Sequence, residues 1–147
     1  KSGLLGLTGK FADRRDVETN RESNADCKLA LEMEVHSVKK YIGAFMAELG
    51  HVDALVFTAG VGENDSYLRG KFCEGLEELG IKIDTDKNDK ALARLDAGEC
   101  EISTPDSRVK VFMIPTNEEI VIVEDTLGIM NKTYDADHLK MKYSFAE

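Results

Sequence analysis

Apolar residues recur at helical spacing through one long stretch of the chain. Leu31, Val35, Val38, Ile42, Phe45 and Leu49 follow one another at steps of four and three, which lines them along one face of a helix for about five turns. Ser23 or Asn24 can cap its start and Gly50 is a natural stop. The pattern then changes period. Ala54-Leu55-Val56-Phe57-Thr58, between Asp53 and Gly60, is a short run rich in strand formers and predicts a buried strand. Ala59 to Asn64 follows as a loop. A helix is predicted from about Ser66 to Leu79, with Leu68, Phe72, Leu76 and Leu79 on one face and Gly80 at its end. Ile81-Lys82-Ile83 alternates as a brief strand, and a short helix is expected near 87–95. Residues 96–108 carry Gly98 and Pro105 and read as a turn, within which Glu101-Ile102-Ser103 can form a strand. Val109 to Ile114 is the second clear strand, closed by Pro115, and a last helix runs from near Asn117 to about Met130. Residues 1–22 are Gly-rich and then charged, a loop with room for a short helix.

Helix, strand, helix, strand, helix predicts the α/β class, with part of a sheet covered on both faces. Two clear strands with large helices make an incomplete layer. The chain of 147 residues is expected to be one domain, residues 1–130, followed by a polar tail, 131–147, that packs loosely or frays. No internal repeat is present. Lys1 stands where a start Met would, and Lys1-Ser2-Gly3-Leu4-Leu5-Gly6 reads like mid-domain sequence, so a fragment boundary is expected there.

Composition narrows the chemistry. There are 28 Asp and Glu against 19 Lys and Arg, a net charge of -9. A nucleic-acid partner needs a basic face and is not expected. A nucleotide is not excluded, because backbone N–H groups and a metal can hold a small anion in a protein of any net charge. Cys27, Cys73 and Cys100 are too few and too scattered for a disulfide framework or a zinc pattern; reduced thiols in a cytoplasmic protein are expected. No apolar run is long enough for a membrane span, and no signal peptide is seen.

Three segments can carry chemistry. Gly60-Val61-Gly62-Glu63-Asn64 lies between a strand and a helix. It is either a tight turn with Asn64 or Asp65 as the helix cap, or a place where a phosphate comes close to backbone. A dinucleotide fingerprint would need Gly at position 65, which is Asp65; a Walker-type loop at Gly9-Lys10 would need Gly at Leu4 and Ser or Thr at Phe11. Pro115-Thr116-Asn117-Glu118-Glu119 opens the last helix. Thr116 with Glu119 fits a capping box, and Glu118 either complements the helix dipole or holds Mg2+ through water. Asp13-Arg14-Arg15-Asp16 is either a solvated ion-pair cluster or a phosphate contact. His36 borders the long apolar stripe, His51 sits in a turn and His138 in the tail; with Ser, Asp or Cys they assemble no nucleophilic set.

Together the segments resemble one family. Ser2-Gly3-Leu4-Leu5-Gly6-Leu7-Thr8-Gly9 with Asp13 and Arg15, then Val56 to Asn64, then Ile114 to Glu119, with Lys40-Tyr41-Ile42-Gly43-Ala44 on the long helix, look like the acetate kinases in order and spacing, over about residues 1–128. The resemblance implies reversible transfer of the ATP γ-phosphoryl group to acetate, giving acetyl phosphate and ADP. It implies a ribonuclease H-like, actin-like ATPase fold of the sugar kinase/Hsp70/actin class, incomplete here, with this chain as the C-terminal, nucleotide-binding part. Asp13, Arg14, Arg15, Gly60, Val61, Gly62, Glu63 and Asn64 then fall on nucleotide-contacting segments, and Glu118 on the site of Mg2+ or Mn2+. The family's acyl-binding arginines, catalytic aspartate and charge-stabilising histidine have no counterparts here, so the chain alone is expected to be inactive. A homodimer without nucleic-acid or membrane partners is implied as well.

Some residues depart from the family pattern. Ala59 stands where another glycine is usual, Lys10-Phe11-Ala12 and Arg14 replace small residues, and the tail beyond Asn131 passes the common end. Two alternatives remain. One is a propionate or butyrate kinase, since the acyl pocket would lie mainly elsewhere. The other is a non-catalytic nucleotide-binding or dimerisation module.

Overall fold

The computed structural model describes residues 2–95, 97–137 and 143. Lys1, where the fragment boundary is expected, and His138 lie outside them, as does most of the tail beyond 137. The chain forms two compact units, Lys1–Ile114 and Pro115–Glu147.

The first unit opens with two short helices, α1 (Gly3–Thr8) and α2 (Arg14–Thr19), in place of the mostly irregular segment expected there. Gly9, at a φ of 67°, ends α1, and the Asp13 carboxylate caps α2. The long helix α3 (Ala25–Leu49) begins at Asn24, whose side chain accepts from the N–H groups of Asp26 and Cys27, and stops at Gly50 with a φ of 69°. Its first turns bury Cys27, Ala30 and Leu31 against Val17, Leu4 and Phe11. Further on, Val35, Val38, Ile42 and Met46 pack on the main core. Phe45 and Leu49, expected on that stripe, are 61% and 68% exposed. Met46 takes the inward place instead, and Phe45 stacks on Tyr41 along the outer flank.

The sheet has three strands, β1 (Ala54–Phe57), β2 (Cys100–Glu101) and β3 (Lys110–Met113), in the order β1-β3-β2. β1 and β3 are parallel, with Ala54 opposite Lys110 and Phe57 opposite Met113. β2 runs antiparallel to β3. The expected strand at Ile81-Lys82-Ile83 is reduced to single bridges, Ile81 to Val109 and Ile83 to Ser103. The strand expected at 101–103 shifts to Cys100–Glu101, with Ser103 left in the single bridge to Ile83. Phe57, Leu68, Phe72, Ile81, Ile102, Val109, Val111 and Met113 form the core. Each such side chain contributes roughly 1.5–3 kcal/mol by leaving water.

Between these strands the expectation needs correction twice. Ala59 to Asn64 is not a loop but a short helix, α4 (Ala59–Asn64). The next helix, α5 (Ser66–Cys73), stops well before Leu79. Gly75 takes a φ of 77° and breaks it, so Glu77–Leu79 forms a separate 3-10 turn closed by Gly80 at 87°. α6 (Thr85–Lys90) and a 3-10 turn at Ala93–Leu95 fill the place of the helix expected near 87–95.

The second unit is built on α7 (Glu118–Met130). Its cap is Asn117, whose side chain accepts from the Ile120 N–H at 3.2 Å, and not Thr116. Asn is the stronger capping residue, and the shift by one residue removes Glu119 from the capping-box position. After α7 the N–H groups of Thr133 and Tyr134 both donate to the Gly128 carbonyl, and the Tyr143 hydroxyl donates to Asp125 at 3.0 Å.

Candidate functional site

The first unit brings two of the three predicted segments together. β1 runs straight into α4 through Thr58, and the Ile114 N–H donates to the Phe57 carbonyl at 3.0 Å. Ligands in α/β proteins sit outside such carboxyl ends of parallel strands. Ala59 enters α4 with a φ of 60°, a left-handed conformation that glycine adopts without cost. The two glycines of α4 serve different ends. A Cβ on Gly62 would stand 3.0 Å from the Phe57 carbonyl carbon, so Gly62 lets α4 lie against the strand. A Cβ on Gly60 would meet nothing within 4 Å, so the backbone there is open to approach.

Side chains far along the sequence hold α4 in place. Arg69 on α5 is fully buried. Its Nη1 donates to the Gly62 carbonyl at 2.8 Å, its Nε to Asn88 Oδ1 at 2.8 Å, and its Nη2 to the carbonyls of Asn88 and Ala91 at 2.7 and 2.6 Å. Burial pulls its guanidinium pKa down, against the opposing pull of Asp65 and Asp89. Asn64 accepts the Arg94 N–H at its side chain and the Arg94 Nη1 at its carbonyl, at 2.8 and 2.6 Å. Glu63 is buried and its carboxylate accepts from the Thr58 hydroxyl at 3.5 Å. Sequence reasoning missed Arg69, Asn88 and Arg94. The available signal was weak: Arg69 flanks the Leu68–Phe72 stripe by one residue, where a charge is rarely buried unless paired.

The Asp13-Arg14-Arg15 segment starts α2. Asp13 Oδ1 accepts from the Arg15 N–H at 2.8 Å and its Oδ2 from Arg15 Nη2 at 2.6 Å. The side-chain bond from Arg15, then the backbone bond, lower the Asp13 carboxyl to about 2. The Arg15 side chain is 86% exposed. Arg14 behaves differently. Its guanidinium turns inward to Glu18, Glu34 and Asp65. Asp65 directly follows Asn64 and caps α5 by accepting the Leu68 N–H at 2.8 Å. The Arg14–Asp65 pair thus joins the segment at 13–15 to the segment at 60–64.

Two hollows of about 600 and 610 Å³ flank α5, one toward α3 and one toward α6. Neither is lined by the candidate residues. In the second unit, Glu118 is exposed in the first turn of α7. Among the described residues no group of three His, Cys, Asp or Glu could hold a metal. A lone carboxylate is still compatible with Mg2+, which keeps several waters and takes one or two carboxylates beside substrate phosphates. Among the described residues, no helix is long and apolar enough to cross a membrane.

A family model for the acetokinase family matches residues 1–124. The chain belongs to that family. The acetate kinase of Geobacter metallireducens is 53% identical over 148 residues, covering 99% of this chain and 34% of that protein. The chain therefore spans about a third of the length of such curated relatives. The crystal structure of Porphyromonas gingivalis acetate kinase superposes with a TM-score of 0.75 at 41% identity, over 88% of this chain and 32% of that one. A propionate kinase from Francisella tularensis superposes at 0.66 with 36% identity, over 80% of this chain and 29% of that one. Acetokinase-family members have the actin-like ATPase fold, and the mixed, incomplete sheet here is part of it.

Proposed function

We propose that this chain is the C-terminal, nucleotide-binding part of an acetate kinase. The observation that carries the reading is the Arg14–Asp65 pair, which ties the Asp13–Arg15 segment to the end of the Gly60–Asn64 segment, within a chain of the acetokinase family. Gly60 offers backbone with open space above it. Arg15 carries an exposed guanidinium that can exchange Asp13 for a phosphate. Glu118 would hold Mg2+ or Mn2+ through water. The metal, when bound, neutralises charge on the phosphates of ATP.

Phosphoryl transfer asks the protein mainly for positioning and charge neutralisation. An acetate oxygen forms the new bond to the γ-phosphorus, the bond from that phosphorus to the β,γ-bridging oxygen breaks, and ADP leaves. The groups that bind and activate the carboxylate would lie in the remainder of the enzyme, so the chain alone is inactive. Dimerisation is part of the same reading, and exposed Ile122, Val123, Leu127 and Met130 on α7 are suited to it.

The likeness to a propionate kinase supports a second reading, with the same site and a longer acid. One assay separates the two. The complete enzyme is given MgATP with acetate or propionate, and the acyl phosphate is trapped with hydroxylamine. Preferred turnover of acetate supports the first reading and of propionate the second. No turnover with either rejects both and leaves a binding or assembly module. Arg15→Ala and Glu118→Ala are expected to raise the KM for MgATP.

A further inference from the structure

We infer that Arg14 is a positioning residue, which sets the register between the two nucleotide-facing segments through Asp65. The inference rests on the nucleotide-binding reading above. Arg14 stands between two residues that face solvent or a neighbouring side chain, yet its own side chain is only 19% exposed. Three carboxylates surround it. Nη1 bonds Glu18 at 3.3 Å, Nη2 bonds Asp65, and Nε lies 3.6 Å from Glu34, an ion-pair distance. Two of its N–H groups are hydrogen-bonded to carboxylates and a third carboxylate stands at ion-pair distance, which fixes the guanidinium in place.

The partners come from separate parts of the fold. Glu18 is on α2, Glu34 on α3, and Asp65 lies between α4 and α5. Asp65 is the decisive one. It is 6% exposed on its side chain, and its two oxygens divide the work. Oδ1 starts α5 through the Leu68 N–H, and Oδ2 holds Arg14. A shift of Arg14 is therefore passed to the residue next to Asn64. Glu34 lies among Arg14, Asp65 and Glu18; burial holds its carboxyl above the usual range, Arg14 opposes that, and the Asp65 and Glu18 carboxylates add to it. One cation thus organises an acidic cluster that would otherwise push the segments apart. Small displacements of positioning groups can cost large factors in phosphoryl transfer.

The test uses the complete enzyme with MgATP and its carboxylate substrate. Arg14→Met, Asp65→Asn and the double variant are compared, with Arg14→Lys as the conservative change. The amide introduced by Asp65→Asn retains an oxygen for the Leu68 N–H, so the α5 cap survives. Each single change is expected to raise the KM for MgATP about five- to tenfold, with the KM for the carboxylate within about twofold. The double variant should be no worse than the worse single, and Arg14→Lys should recover part of the loss. Multiplying effects in the double variant, or equal rises in both KM values, overturn the inference and leave a purely structural ion pair. If Arg14→Met does not fold, Arg14→Lys and Asp65→Asn carry the same comparison. Arg15→Ala distinguishes the two levels. If it raises the KM for MgATP while Arg14→Met does not, only this inference fails; if neither does, the nucleotide reading fails and takes the inference with it.

Discussion

Replacing Arg69 with Met should be among the most damaging single changes in the first unit. The side chain is fully buried and donates to four acceptors, the carbonyls of Gly62, Asn88 and Ala91 and the Asn88 side chain, at 2.6–2.8 Å. Methionine fills similar space but donates nothing. Leaving a buried acceptor unpaired costs about 1–3 kcal/mol. Taking about 1 kcal/mol for each of four gives about 4 kcal/mol, and removing a desolvated guanidinium returns some of it. The expected net loss is about 3 kcal/mol. With a urea slope of about 2 kcal/mol per molar, the midpoint followed by far-UV circular dichroism should fall by about 1.5 M. Arg69→Lys keeps the charge and one or two donors, so it should fall about half as far. A loss under about 1 kcal/mol for Arg69→Met would refute the reasoning. It would mean that desolvation of the guanidinium cancels its hydrogen bonds, and that α4 does not depend on it.

Other positions give sharper signs than magnitudes. Gly62→Ala puts a Cβ 3.0 Å from the Phe57 carbonyl carbon, backbone that the β1–β3 pairing holds in place; a loss of about 1–3 kcal/mol in the same urea titration is expected. Ala59→Gly relieves a φ of 60°, worth about 1–2 kcal/mol, against about 0.5–1 kcal/mol of added unfolded-chain entropy; a small net gain is expected, and a lowered midpoint would contradict it. Burial pushes the Cys73 thiol up to about 12. The unfolded thiol ionises first, so its contribution is intact below the ordinary thiol pKa and is lost as pH rises toward 12. Cys73→Ser should flatten that alkaline decline in pH-resolved melting. In the native protein a thiol reagent should label the partly exposed Cys100 before the buried Cys27 and Cys73.

Local signals make much of the fold legible. The three- and four-residue steps of α3, its Asn24 cap and its Gly50 stop are written in adjacent residues, because helix period and capping are short-range physics. β1 and β3 stand out as short apolar runs for the same reason. α4 does not. Ala59-Gly60-Val61-Gly62 has poor helix propensity, and what holds that turn in helical form is Arg69 on Gly62 and Arg94 on Asn64. The pattern extends α5 too far because the apolar spacing of Leu76 and Leu79 continues through Gly75, and only the backbone shows its left-handed turn. The candidate segments are visible as segments, but not the division of labour within them. Gly60 and Gly62 look alike in sequence, and one faces open space while the other meets a strand. Arg14 and Arg15 are neighbours, and one turns into the protein while the other stays in solvent. The carboxylate that decides between them is 51 residues away along the chain. Composition and period determined the class and the elements α3, β1, β3 and α7; the short helices, and which polar groups meet, depend on long-range packing, which a local pattern does not encode.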